Sequence, residues 1–152
     1  PIISYNYGAA RLDRVKRTVR LTICTAVCIM TMGFAVFQLA PATLLSLFDA
    51  SAEMTAIGVP ALRIISISFL LAGFCIISGS VCQAIGNPLY SMVVSVCRQL
   101  VVLLPAAWLL AQSGRLELVW WSFPIAELVS LTLSAIFLRR TLHAAGERLS
   151  QK

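Results

Sequence analysis

The sequence predicts an all-α polytopic membrane protein with four transmembrane helices, and three observations carry that prediction. First, residues 64–97 form a run of thirty-four positions without Asp, Glu, Lys, Arg or His. As one helix rising about 1.5 Å per residue it would be roughly 50 Å long, well beyond the roughly 30 Å of a bilayer hydrocarbon core, so it must hold two spans. Second, Gly86-Asn87-Pro88 sits inside that run. Gly and Asn tolerate the left-handed conformation that ends a helix, and Pro begins the next one where a missing donor costs nothing. Third, 12% of the residues are charged, 59% are apolar and the mean hydropathy is +0.90. A soluble domain is typically about 25% charged.

Taken in order, residues 1–20 read as the end of a preceding helix, stopped at Gly8, and a basic loop in which Arg11, Arg14, Lys16, Arg17 and Arg20 face only Asp13. Residues 21–40 are an uncharged run long enough to span. Pro41 closes it, and residues 41–56 form an interfacial segment and an outer loop with Asp49 and Glu53. The second span covers residues 57–85, the turn 86–88, and the third span 89–111. Residues 112–117 make an outer loop around Ser113-Gly114-Arg115, and residues 118–138 the fourth span, with Trp120 and Trp121 at a membrane–water boundary. Residues 139–152 are a basic tail carrying Arg139, Arg140, Arg148 and Lys152 beside His143 and Glu147. The chain opens at Pro1 with neither an initiator Met nor the charged, apolar and cleavage regions of a signal peptide, and reads as a piece of a longer polypeptide.

Four spans place both ends on one side. That side carries nine of the twelve basic residues, whereas the opposite loops carry Asp49, Glu53, Glu117 and a single Arg115. The positive-inside rule therefore predicts cytoplasmic termini, with the lipid bilayer as the main surrounding partner. The net charge of +6 has the same origin, since the basic residues sit at the two ends rather than along a face interleaved with aromatics, and nucleic acid is excluded as a partner. Cys24, Cys28, Cys75, Cys82 and Cys97 lie in apolar segments with no CxxC spacing, and read as small buried hydrophobes rather than metal ligands or disulfides. No HExxH, GxSxG or phosphate-binding glycine loop occurs and the one histidine is in the tail, so neither an enzyme nor a cofactor is expected.

On a helical wheel the second span divides into three arcs. Ser68, Ala72, Cys75, Gly79, Cys82 and Gly86 form a stripe of small residues where a neighbouring helix can pack closely. Arg63, Ser66, Gly73, Ser80 and Gln83 form a polar stripe, of which Ser66, Gly73, Ser80 and Gln83 are candidates to line a substrate cavity or to make interhelical hydrogen bonds. Ile64, Ile67, Leu70, Leu71, Phe74, Ile77, Val81 and Ile85 fill the arc expected to face lipid. In the third span Ser91, Ser95, Arg98 and Pro105 share a face. Arg98 lies roughly 15 Å of helix from the Asn87 end, and Glu127 roughly 18 Å from the Arg139 boundary, so the two stand at similar depth. A charge there costs several kcal/mol unless it pairs or meets water, which makes Arg98 and Glu127 a candidate intramembrane pair, with Pro124 expected to kink the helix beside it. Arg63, near the outer boundary, can snorkel.

The segments Pro1-Ile-Ile-Ser-Tyr-Asn-Tyr-Gly-Ala9, Arg14-Val-Lys-Arg17 and Gln83-Ala-Ile-Gly-Asn-Pro88, with Arg98 ten residues on, resemble the bacterial multidrug and toxic compound extrusion (MATE) family. The resemblance implies the last third of a twelve-span transporter, from the end of span eight through span twelve, in the C-terminal six-helix lobe. It further implies a secondary active antiporter that exports drugs and small organic cations, driven by H+ or Na+, whose missing N-terminal lobe belongs to the same polypeptide. The family's proton-coupling acid lies in the missing lobe, and no acid occurs from Ala56 to Gln83 where the sodium-coupled branch carries one, so the coupling site is not expected in this piece. Two other readings are a lipid-linked oligosaccharide flippase of the same superfamily and a non-transporting four-helix membrane scaffold.

Overall fold

The computed structural model describes residues 1–150, so Lys152 of the basic tail lies outside the described residues. Within the described residues nine α-helices follow one another: α1 (Ile2–Gly8), α2 (Leu12–Leu39), α3 (Pro41–Ser46), α4 (Ala52–Ser66), α5 (Phe69–Ala84), α6 (Pro88–Val96), α7 (Leu104–Ala111), α8 (Leu116–Val119) and α9 (Ser122–Ser150), with a π-helical stretch, Cys97–Leu103, joining α6 to α7. Three helical runs are long and apolar enough to cross a membrane alone, and α4 and α5, bent by 53° at the break between them, are so only when taken together.

The first span is longer than its uncharged run. α2 starts at Leu12, so Arg14 to Arg20 are helical and not the loop expected from their charge. Lys and Arg are good helix formers and Asp13 stands in the first turn against the helix dipole, so the helix extends about two turns beyond the apolar segment. Within it Thr22 and Thr31 donate to the carbonyls of Thr18 and Val27 at 2.8 Å each, satisfying hydroxyls that lipid could not. Before it, α1 ends at Gly8, but the residue in the left-handed conformation is Ala10, at φ +56°.

The second span is broken. α4 begins at Ala52, five residues before the expected start, because Ser51 caps it by accepting from the Met54 N–H at 3.2 Å. α4 and α5 meet at Ile67 and Ser68 with a bend of 53°. There the amides of Ile67 and Ser68 donate three residues back, to Ile64 and Ile65, and the Ser66 and Ser68 hydroxyls reach the Arg63 and Ile65 carbonyls at 3.0 and 2.6 Å. Serines that bond the preceding turn bend helices in this way. The released Arg63 carbonyl is also taken by Gln38 Nε2 of α2 at 2.8 Å, and the same nitrogen meets Ser66 Oγ at 3.1 Å.

The third span keeps its length but not its regularity. Pro105 cannot donate to the Val101 carbonyl and its ring crowds it, and the ladder widens to π-helix just upstream. In the fourth, Pro124 sits in the first turn of α9, where it is tolerated, so the expected kink is instead a helix start after the break at Trp120 and Trp121.

Packing decides the faces. α5 is the central element: it contacts α2 along one side and α6 and α9 along the others. At the end of the bundle that carries the chain's beginning, Val15 and Val19 of α2, Val81 and Ile85 of α5, and Leu138 and Ala145 of α9 form a core cluster, joined by Phe74 and Ile77. The arc with Phe74, Ile77, Val81 and Ile85 therefore faces protein and not lipid, since packing against two helices buries more surface than the wheel alone could foresee. Gly86 is not a packing residue either: it lies past α5 at φ +95°, exposed, and terminates the helix. Of the cysteines, Cys75 and Cys82 are buried, but Cys24 and Cys28 lie on the exposed side of α2.

Candidate functional site

Down α9 the residues Ser122, Ala126, Ser130, Ser134, Leu138, Thr141 and Ala145 are all buried, recurring every three or four positions. This is a small-residue stripe facing α5, and its 4-4-4-4-3-4 spacing was available in the sequence beside the more conspicuous one on α5. The two stripes meet: Cys82 Sγ lies 3.5 Å from Thr141 Oγ1, while Cys75 stands beside Ser130 and Glu127. Gly79 faces α6, where a Cβ would come within 3.2 Å of Ser91 Oγ. Ser68 and Ala72 turn to the Phe123 and Ala126 level of α9.

The predicted polar stripe splits in two at the bend. Ser66 is fully buried in the hydrogen bonds with Gln38, and Gly73 is pressed onto α2, where a Cβ would lie 3.1 Å from the Ala26 carbonyl. The bend and the crossing with α2 turn both to a helix contact. Ser80 and Gln83 do face a cleft of about 240 Å³ between α5, α6, the π-helical stretch and α9. Gln83 Nε2 donates across it to Ser91 Oγ at 2.8 Å, and Ser95 and Ser130 add further hydroxyls.

Arg98 and Glu127 close this cleft from the other end. Arg98 Nη1 lies 3.4 Å from Glu127 Oε2; the arginine side chain is 44% exposed and the glutamate side chain 6%. Glu127 is carried inward by the small stripe of α9, and its Oε1 is buried without a hydrogen-bond partner. A guanidinium with five donors thus spends one, at a long distance, on a carboxylate with half its acceptor capacity unused. The pair is joined but not saturated. Burying it fully would cost more than the contact returns, and the partial exposure of Arg98 reduces that cost.

A larger cleft, about 380 Å³, lies at the opposite end between α4 and α8, floored by Pro60 and Trp120. Its charges, Arg115 and Glu117, are 3.8 Å apart and well exposed, so it is a surface feature of the loops. Arg63 is exposed in the last turn of α4. Among the described residues no three His, Cys, Asp or Glu side chains converge as metal ligands would.

The chain matches known proteins over most of its length. The MatE family model aligns with residues 1–109. A solved multidrug resistance MATE family transporter of the MOP superfamily, in an inward-facing conformation, superposes with a TM-score of 0.86 over 96% of this chain and 34% of its own, at 20% identity. The MATE multidrug transporter DinF-BH, solved with a bound ligand, gives a TM-score of 0.80 over 90% of this chain and 30% of its own, at 35% identity. No curated protein sequence matches. The chain thus spans about a third of the length of the transporters it resembles. With helices that cross a membrane, a fold shared with solved transporters and a family model covering residues 1–109, the chain belongs to the MatE family.

Proposed function

We propose that this chain is part of the C-terminal lobe of a secondary active efflux transporter that exports drugs and small organic cations in exchange for H+ or Na+. The observation that carries the reading is the polar cleft of Ser80, Gln83, Ser91 and Ser95, ending on a buried glutamate, among helices otherwise built for lipid. A protein that only anchors itself gains nothing from such a cleft, because polar side chains in a span are costly unless they serve packing or passage. The solved relatives are described as multidrug transporters, which favours efflux over oligosaccharide flipping and over a scaffold. The missing lobe of the same polypeptide supplies the other wall of the pathway, as secondary transporters place their sites between repeats. In this reading the membrane is the bacterial inner membrane and both termini are cytoplasmic.

The test is efflux of a fluorescent organic cation such as ethidium from cells expressing the full-length protein in a host stripped of its own pumps. Expression should lower the steady-state dye content, and collapse of the ion gradients should restore it. Unchanged dye content with the protein present in the membrane would refute the reading.

A further inference from the structure

The Arg98–Glu127 contact separates two clefts rather than sitting inside one. The polar cleft takes the later residues of α5 and the earlier ones of the third span, with Gln83 and Ser91 at its mouth; the second, about 260 Å³, takes Ser68 and Ala72 on one side and Leu103 and Phe123 on the other. Arg98 and Glu127 line both. On all three helices the order is the same, so the clefts are stacked along the bundle with the pair between them.

We propose that this pair is a septum and that Glu127 is a protonation site served by water from the polar cleft. On taking a proton from hydronium, Glu127 becomes a neutral acid, water is released, the ionic contact with Arg98 is lost and the two clefts join. Three features support this. The buried Oε1 has no partner, and a proton or a water would satisfy it. The contact that holds the septum is a single one of 3.4 Å from an arginine that is already 44% exposed and can turn to water. The arginine rides on a π-helical stretch, a local widening that recurs at functional sites. The groups facing the carboxyl are Arg98 from that stretch, Cys75 from α5 and the Ser130 hydroxyl of its own helix; among the described residues the clefts bring no other charge to it.

The proposal rests on reading the helices as one lobe of a membrane transporter, but its test does not use efflux, so a protein that fails to export ethidium could still pass it. In the full-length protein in lipid, infrared difference spectroscopy across a pH titration should show a carboxylic-acid C=O band that disappears with rising pH and is absent in Glu127→Gln. In parallel, a cysteine at Ala72→Cys, on the half-buried side of the second cleft, is labelled by an impermeant thiol reagent from the side of the chain termini, its peptide resolved by mass from those of the native cysteines. If the open form is at most about a tenth of the population with the pair intact, adding Glu127→Gln should speed labelling about tenfold or more and remove its pH dependence. Arg98→Ala, which removes the other half of the septum, should give the same acceleration if Glu127→Gln does not fold. A band unaffected by pH, or a labelling rate unchanged by both variants, would overturn the proposal.

Discussion

At the scale of single residues, two glycines on α5 differ in what surrounds them. A Cβ on Gly73 would meet the Ala26 backbone at 3.1 Å and Met30 Cγ at 3.2 Å, whereas one on Gly79 would meet only the Ser91 side chain, its hydroxyl at 3.2 Å. A backbone cannot move aside without shifting α2, but a hydroxyl can rotate. Gly73→Ala is therefore expected to lower thermal stability in detergent by about 1 to 3 kcal/mol, and Gly79→Ala by less than about 1. Ranking the two variants by melting temperature checks it; equal losses would show that α2 is not the tighter contact. The charged pair is argued at the same scale. A dry ion pair broken on one side costs about 3 to 5 kcal/mol, and an exposed one about 0 to 1. With Glu127 buried and Arg98 44% exposed, a coupling of about 1 to 2 kcal/mol is expected. A double-mutant cycle of Arg98→Ala and Glu127→Gln in the full-length protein measures it, and strict additivity would rule the coupling out.

At the scale of elements, the break between α4 and α5 depends on a side chain from another helix. Ser66 and Ser68 bend the chain, and Gln38 of α2 takes the carbonyl and the hydroxyl left over. Replacing Gln38 by Leu leaves the Arg63 carbonyl with only the Ser66 hydroxyl. The expected loss is about 0.5 to 2 kcal/mol, the range of interhelical hydrogen bonds in membranes, and Gln38→Glu at low pH should recover part of it. Thermal unfolding of the two variants is the measurement, and a Gln38→Leu protein as stable as the parent would show that the bend is held by α4 and α5 alone. The third span supplies a contrasting element: Tyr90 and Phe137 stack at 4.5 Å with ring planes 5° apart, fastening α6 to α9 at the end away from the π-helical stretch.

At the scale of the molecule, the basic and acidic ends separate cleanly. The N-terminal turns of α2 and the C-terminal turns of α9 gather around one core cluster, while the residue 49–53 loop and the α8 end carry Asp49, Glu53 and Glu117. Reporter fusions after the end of α9 and within residues 49–53 are expected to give cytoplasmic and periplasmic signals respectively; the reverse pattern would refute the orientation. The polar cleft is open along α6, whose side chains are half-buried or exposed. The isolated chain is therefore expected not to transport ethidium when reconstituted, since it cannot enclose a pathway, and gradient-driven uptake by it would show that one lobe suffices.

Much of this was legible in the sequence by itself. The all-helical membrane class, the turn at Gly86-Asn87-Pro88 and the similar depth of Arg98 and Glu127 follow from helix rise, hydropathy and proline chemistry, which are properties of a segment and its solvent. The rest needed the tertiary structure. Phe74 and Val81 have the composition of lipid-facing residues, and only the arrival of α2 and α9 turns them into core. Ser66 and Gly73 share a wheel face with Ser80, and only the bend, with Gln38 and Ala26 opposite, assigns them to a helix contact and leaves Ser80 and Gln83 to the cleft. The physical reason is that lipid and protein interiors are equally apolar, so hydrophobicity can place a residue in the membrane but cannot say which neighbour it meets there. That choice is made by shape, by small residues that allow close approach and by polar groups that must find partners, all of which lie far apart in the chain.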